Sequence, residues 1–439
     1  MLRTNIVLAL LCGLVVMTAN AGEYDLESYL RRVEQNNPDL SLAYKELDLA
    51  KENVVQARSA LLPNIGAQGS YTRNLQDIKQ SAPVAADLTT GRIIRQDIDS
   101  NYDNELTLGV GVNQTIFDAA ALSRYNQARK GREIQEQALE TRRQNLRAAA
   151  KKLYARTQLA VAVVHIMEAS EHTSEEIYQS IERKYKAGVA TELDLLMAEV
   201  DWKSKIPTTA ESRKNAELAT IAFKNLGWIP LSEEVVLTET DEALPVIPGT
   251  PQLNAVFSGR PDYRALLLNR ELSDIGQRAA MSAFLPTVSG GFSFAFGGMG
   301  NDSLTGDYDY TSMQLKLGVN IPLFAGGYRL SRMKSAKTEQ EKAALSLIKK
   351  QMEIESELIE IRLNLDEASE RINSARLIEA MARRAVALAQ TAYINGAATQ
   401  LSVTEAINKL DQASLGLHSA IFEYRSAYYD WELATGIVR

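Results

Sequence analysis

Most of the motifs in this chain occur twice and in the same order, which restricts it to folds assembled from like units. Asn37-Pro38-Asp39 is followed by Leu62-Pro63, and Arg260-Pro261-Asp262 by Leu285-Pro286 at the same interval. Gly111-Val112-Asn113 leads to Phe117, and Gly318-Val319-Asn320 leads to Phe324 with matching spacing. Tyr185-x-x-Gly188-x-Ala190-Thr191-x-Leu193 recurs as Tyr393-x-x-Gly396-x-Ala398-Thr399-x-Leu401. The first repeat is read over residues 22–228 and the second over 259–439. Between them, residues 229–258 carry Pro230, Pro245, Pro248 and Pro251 and read as a linker, with a short strand or helix of its own. Function in such a molecule is expected on the shared axis of its copies, not in a private cleft.

Residues 1–21 have the form of a secretory signal: Arg3, an apolar run from Ile6 to Val16, then Ala19-Asn20-Ala21 before Gly22. The run is too short for a membrane anchor. Cys12 is the single cysteine, and Leu11 stands where a lipoprotein leader needs a small residue. A chain cleaved before Gly22 has no thiol, which excludes disulfides, zinc-thiolate sites and cysteine catalysis. The formal net charge of −7 argues against a nucleic-acid partner.

After Leu62-Pro63 the pattern takes a period of two. Ile65, Ala67, Gly69 and Tyr71 alternate with Asn64, Gly66, Gln68, Ser70 and Thr72. Beyond a polar stretch over 74–102, Leu106, Leu108, Val110 and Val112 alternate with Thr107, Gly109, Gly111 and Asn113. The second repeat is cleaner: Val288, Phe292, Phe294 and Phe296, then Met313, Leu315, Leu317, Val319 and Ile321, oppose small or polar neighbours. Strand pairs are expected over 63–75 with 104–117 and over 286–298 with 311–324. Alternation of about ten residues per strand suits a transmembrane barrel, with Phe292, Phe294, Phe296, Leu315 and Leu317 facing lipid. The competing reading is a hairpin on a soluble core, but no other segment resembles the layer it would cover.

Residues 119–185 and 328–393 hold no proline and read as long helices turning near Gly188 and Gly396, with return helices to about 226 and 435. Leu139, Leu146, Leu153, Ala160 and Met167 fall on a heptad; Ile354, Leu358, Ile361 and Leu365 follow coiled-coil spacing. At ~1.5 Å per residue each long helix is roughly 100 Å, about three hydrocarbon thicknesses. Arg142, Arg143, Arg147, Lys151 and Lys152 keep the first of them in water.

Four strands cannot close a sheet. Each open edge leaves several unpaired backbone groups in hydrocarbon, at several kcal/mol apiece, and the total exceeds a domain's net stability. Copies must therefore join. Two would make a barrel of about eight strands filled by side chains, and three one of about twelve with a lumen. The inward set Gly66, Ser70, Gly109, Gly291, Ser293 and Gly318 favours the trimer.

Taken together, the doubled proline interval, the Gly-Val-Asn strand ends, the Tyr-x-x-Gly-x-Ala-Thr-x-Leu tips and the closing Leu226-Gly227 and Thr435-Gly436 resemble the TolC family of outer-membrane channels. The resemblance spans essentially the whole mature chain. It implies an α+β membrane protein: a homotrimeric twelve-stranded β-barrel in outer-membrane lipid, continuous with a twelve-helix periplasmic α-barrel. It further implies work with an inner-membrane transporter and a periplasmic adaptor, and no catalysis. In that family an iris of helix tips closes the periplasmic end. Tyr393 matches the family's tyrosine and Asp194 its carboxylate partner, while Ala398 stands where an arginine is expected. The two ring positions hold Ser402 and Glu405, so the resemblance implies three glutamates at the aperture and a lighter latch. The adaptor is expected at Gly188, Ala190, Leu193, Gly396, Ala398 and Leu401.

The chain offers no enzyme site or cofactor motif. His165 and His172 lie seven apart without metal-protease spacing, and His418 is isolated. Gly290 to Gly300 lacks the Lys-Ser/Thr of a phosphate loop. Trp202, Trp228 and Trp431 read as packing or interface residues. Asp307 and Asp309, read as part of a short outer loop, are candidates to touch a cation. Lys316 points into the expected lumen. Two alternatives to an efflux duct stand: the exit channel of type I protein secretion, and a non-conducting coiled-coil tether.

Overall fold

Proline at a first helical turn and glycine just past a last one punctuate this chain, and several helix ends follow from that chemistry. The structure is a computed structural model and describes residues 22–86, 90–238, 244–303 and 308–437. The leader, Cys12 and Asp307 lie outside the described residues. The order is β1 (Gly22–Tyr24), α1 (Leu26–Asn36), α2 (Pro38–Ser59), β2 (Asn64–Arg73), β3 (Lys79–Ala86), β4 (Ile93–Asp99), β5 (Asn104–Phe117), α3 (Ala119–Lys186), α4 (Glu192–Leu226), β6 (Val235–Leu237), α5 (Leu253–Gly259), α6 (Pro261–Ser282), β7 (Thr287–Gly300), β8 (Tyr308–Asn320), α7 (Tyr328–Ile394) and α8 (Gln400–Thr435). Pro38 and Pro261 open α2 and α6 at positions whose N–H has no intrahelical partner in any case. β8 stops two residues before Pro322, which has no N–H to donate. Among the described residues no helix is long and apolar enough to cross a membrane.

Two units divide the chain. One gathers described residues within 1–44, 138–263 and 350–439. Its core is an aromatic cluster. Tyr29 and Phe223 are fully buried and stack with centroids 3.8 Å apart, and the Tyr29 hydroxyl donates to the Phe223 carbonyl at 3.0 Å. The Tyr154 hydroxyl donates to the Tyr24 carbonyl at 3.1 Å, fixing β1, which pairs in parallel with β6. Sequence patterning did not reveal β1, because three residues are too few to show a period.

The heptad expected through Leu153 drifts. Leu139 and Leu146 are buried, but the stripe then moves to Ala150, Tyr154 and Thr157 and on to Ser170, Ser174 and Ile181, leaving Leu153 half-buried. A straight helix of 3.6 residues per turn loses register with a seven-residue repeat unless it supercoils. Small and hydroxyl-bearing side chains along the later stripe suit close helix approach. In α7, Ile354, Leu358 and Leu365 are buried as their spacing predicts, while Ile361 of the same seam is only half-buried.

Arg260, only 7% exposed, joins helix starts to helix ends. Its guanidinium donates to both oxygens of Asp262 at 3.0 and 2.8 Å, to Glu357 at 2.6 Å and to the Ala434 carbonyl at 3.1 Å. Lys350 adds a second cation 3.0 Å from Asp262. Burial alone would push the Asp262 carboxyl up. The bonds and charges of Arg260 and then Lys350 outweigh it and hold the group at about 2. A carboxyl lowered on folding stabilises fully above its unfolded value of about 4, and that contribution is lost as pH falls toward 2. The melting temperature of the detergent-solubilised protein should therefore drop between pH 4 and pH 2. Asp262→Asn should lower it at neutral pH and flatten that acid slope; an unchanged slope would refute the assignment.

The second unit holds residues 45–137 and 264–349. Its main sheet has four strands in the order β2-β5-β7-β8, all antiparallel. The polar stretch 74–102 is not a plain loop: β3 and β4 pair there as a separate antiparallel hairpin, with the register shifting between Pro83 and Ala85. Alternation is hard to read in β3 because Ala and Pro supply its less polar positions.

Candidate channel wall and helical tips

The register of the four-stranded sheet sorts its side chains into rows. Ile65, Val112, Phe292 and Leu315 stand opposite one another across all four strands, as do Ala67, Val110, Phe294 and Met313. Gly69, Leu108, Phe296 and Thr311 form the next row of this face, and Leu317 lies opposite Gly290. Successive strand residues point to opposite faces, so the alternate rows form the other surface. These are Asn64-Asn113-Gly291-Lys316, Gly66-Gly111-Ser293-Gln314 and Gln68-Gly109-Ala295-Ser312. Over these rows one face is apolar apart from Gly69, Gly290 and Thr311, and the other is polar or small. The apolar face is uncovered within the chain: Leu315 is 87% exposed, Leu317 70% and Phe292 44%. Phe294 and Phe296 are exposed with them. β2 and β8 are the edges, each paired on one side only.

The tips are built from local chemistry. Gly188 adopts φ +75° and Gly396 φ +71°, a conformation glycine reaches without Cβ strain. Behind each, the chain closes α3 and α7 with the same pair of bonds. Val189 N donates to the Lys184 carbonyl at 2.9 Å and Gly188 N to the Tyr185 carbonyl at 2.9 Å. In the second tip, Ala397 N donates to Ala392 at 2.8 Å and Gly396 N to Tyr393 at 3.1 Å. Thr191 and Thr399 then cap α4 and α8, their hydroxyls accepting from Asp194 N at 3.2 Å and Ser402 N at 3.3 Å. The recurring Tyr-x-x-Gly-x-Ala-Thr-x-Leu motif is therefore a helix stop followed by a helix start.

The repeats differ at the third helical position. Asp194 completes a capping box, its Oδ2 accepting from Thr191 N at 3.1 Å and from the Thr191 hydroxyl at 2.7 Å. Those bonds, with the side-chain bond first, hold its carboxyl below the usual range. In the second tip, Ser402 replaces the acid and meets only the Thr399 hydroxyl, 3.0 Å away. No Asp194–Tyr393 hydrogen bond forms within the chain. Instead, the ammonium of Lys184 lies over the Tyr393 ring, 4.3 Å from its centroid, linking the first tip to the second. Ala190 and Ala398 are half-buried, Leu193 and Leu401 exposed, and Glu405 exposed on α8.

Farther from the turns, a part-buried polar cluster joins the two helix pairs. Lys205 of α4 donates to Asp411 at 2.9 Å and to Asn408 at 2.7 Å, both on α8. Asp411 also accepts from Ser170 of α3. The side chains of Lys205 and Asp411 are each 15% exposed. Sequence reasoning missed this cluster and the Lys184 contact. The one signal was a charge at Asp411 within the stripe Val403, Ile407, Ser414, where an apolar residue would pack; it announces a partner without identifying one. Trp202 stacks on Tyr178 with centroids 5.3 Å apart and Trp431 is buried, whereas Trp228 is exposed and is not part of the buried core. Among the described residues no group of three or more His, Cys, Asp or Glu is placed to hold a metal ion.

A two-faced sheet with open edges, in one chain with antiparallel helices this long, defines a channel-forming protein of the outer membrane. The chain belongs to the outer membrane efflux protein family, which it matches over residues 29–226 and 253–428. It is similar to the alkaline protease secretion protein AprF of Pseudomonas aeruginosa, at 21% identity over 92% of this chain and 82% of that protein. It is also similar to the outer membrane efflux protein BepC of Brucella suis, at 24% identity over 97% of this chain and 88% of that protein. The solved CmeC outer membrane channel of Campylobacter jejuni has the same fold, with a TM-score of 0.76 over 94% of this chain and 85% of that one at 18% identity. The fold is TolC-like, and the protein is a non-enzymatic outer-membrane transport protein with a periplasmic extension. Channels of the TolC family are trimers that work in tripartite systems.

Proposed function

We propose that three copies of this chain close into a passive duct, the outer-membrane channel of a tripartite export system. The observation that carries this reading is the sheet: apolar on one face, polar on the other, and unpaired along β2 and β8. Pairing β8 of one copy with β2 of the next removes every edge and leaves only the polar rows facing water. Phe292, Phe294, Phe296, Leu315 and Leu317 then face lipid.

The tips form the periplasmic aperture. Asp194 and Ser402 set the first turns of the return helices, and Tyr393 accepts the cation of Lys184. Such a contact is worth about 0.5 to 2 kcal/mol, against about twice a neutral hydrogen bond for an arginine–carboxylate pair, so closure is light. Glu405 of three copies rings the opening and favours cations. A periplasmic adaptor, itself joined to an inner-membrane transporter, docks on Gly188, Ala190, Leu193, Gly396, Ala398 and Leu401. The likeness to AprF supports a second reading within the same class, the exit channel of type I protein secretion. Cargo in either case is chosen by the inner-membrane partner.

Purified protein added to a planar lipid bilayer should give discrete conductance steps and migrate as a trimer after cross-linking. A trimer that inserts without conducting would replace the duct with a tether.

A further inference from the structure

We infer that Lys316 forms a ring of positive charge in the wall of the barrel lumen, biasing the membrane section of the duct toward anionic cargo. The inference rests on the trimeric channel reading above.

Lys316 lies in the row Asn64-Asn113-Gly291-Lys316 of the polar face, and its side chain is exposed. Across the four strands this face carries only one other charged residue, Glu105, in the row of Thr72, Met299 and Tyr308. Glu105 accepts from Asn74 at 2.9 Å. Thr72 stands at the far end of β2 from Asn64, so the two rows are roughly 25 Å apart along the strand. That exceeds the Debye length of about 10 Å at 0.1 M salt. Within its own sheet the neighbours of Lys316 on this face are Gly291, Gln314 and Gly318, none of them acidic.

The seam between copies gives the same answer whatever its register. β8 is an edge, so Lys316 also faces β2 of the next copy. The residues of β2 on this face are Asn64, Gly66, Gln68, Ser70 and Thr72, and no shift of pairing brings a carboxylate to the lysine. A barrel of about twelve strands sets each ammonium several ångströms from the axis. Three uncompensated charges there should enrich anions over cations about twofold to fivefold at 0.1 M salt, and hardly at all at 1 M. The sign is opposite to that of the Glu405 ring at the tips, so the two ends of the duct carry different filters.

The test is the reversal potential of the reconstituted channel in a KCl gradient, for the natural protein, Lys316→Gln and Lys316→Glu. The tips are common to all three, so differences read the barrel. The anion-to-cation permeability ratio should fall about twofold with glutamine and further with glutamate near 0.1 M salt, converging near 1 M. Equal ratios at low salt would overturn the inference while leaving the channel intact. No conductance in any of the three would overturn the channel reading and this inference with it.

Discussion

Met313→Arg should abolish membrane insertion, whereas Gln314→Arg, one residue away, should leave it intact. Met313 closes the apolar row Ala67-Val110-Phe294-Met313 and is 71% exposed within the chain. Gln314 closes the polar row Gly66-Gly111-Ser293-Gln314. An arginine facing lipid near the midplane costs about 2 to 4 kcal/mol. Three copies multiply that to roughly 6 to 12 kcal/mol, comparable with the whole net stability of a domain. An arginine facing a water-filled lumen costs little by comparison. Fractionation of outer membranes followed by gel analysis of the unheated trimer reads the difference. Equal recovery of both variants would mean that the face assigned to lipid is wrong.

Asp411→Ala should open the tips by freeing one helix pair from the other. It removes the carboxylate that holds Lys205 of α4 and Ser170 of α3 against α8. A fully buried cation left without its partner costs about 3 to 5 kcal/mol, and Lys205, which is part-buried and keeps Asn408, sits toward or below the lower end of that range. About 3 kcal/mol corresponds to a change of roughly a hundredfold in a two-state equilibrium. Resting conductance in planar bilayers should rise accordingly, and more than with Lys184→Ala, which removes only the contact over the Tyr393 ring. Replacing both partners, Lys205→Met with Asp411→Leu, should return conductance toward the natural level, because an apolar pair leaves no unpaired charge. Conductance unchanged by Asp411→Ala would show that the cluster holds the fold without restraining the opening.

The barrel strands and the tips were the most legible parts. Both depend on local rules. A period of two shows which residues share a sheet face, and a glycine followed three residues later by threonine marks a helix stop and restart. The shared apolar face of Phe292, Phe294, Phe296, Leu315 and Leu317 was readable because side chains alternate along a strand. The hairpin of β3 and β4 was not, because its alternation is blurred by Ala82, Pro83, Ala85 and Ala86. The coiled-coil seam was readable only in part: a heptad count assumes supercoiling, and α3 carries its buried stripe away from Leu153.

The amino-acid sequence alone determined the doubling, the two-faced strands and the turn chemistry at Gly188 and Gly396, because each follows from spacing along a few residues. Only the tertiary structure decided that Lys184 meets Tyr393 and that Lys205 meets Asp411. Both pairs join residues remote in the chain, so spacing along a few residues names neither partner. Packing of the helices against one another selects them, and no local rule does.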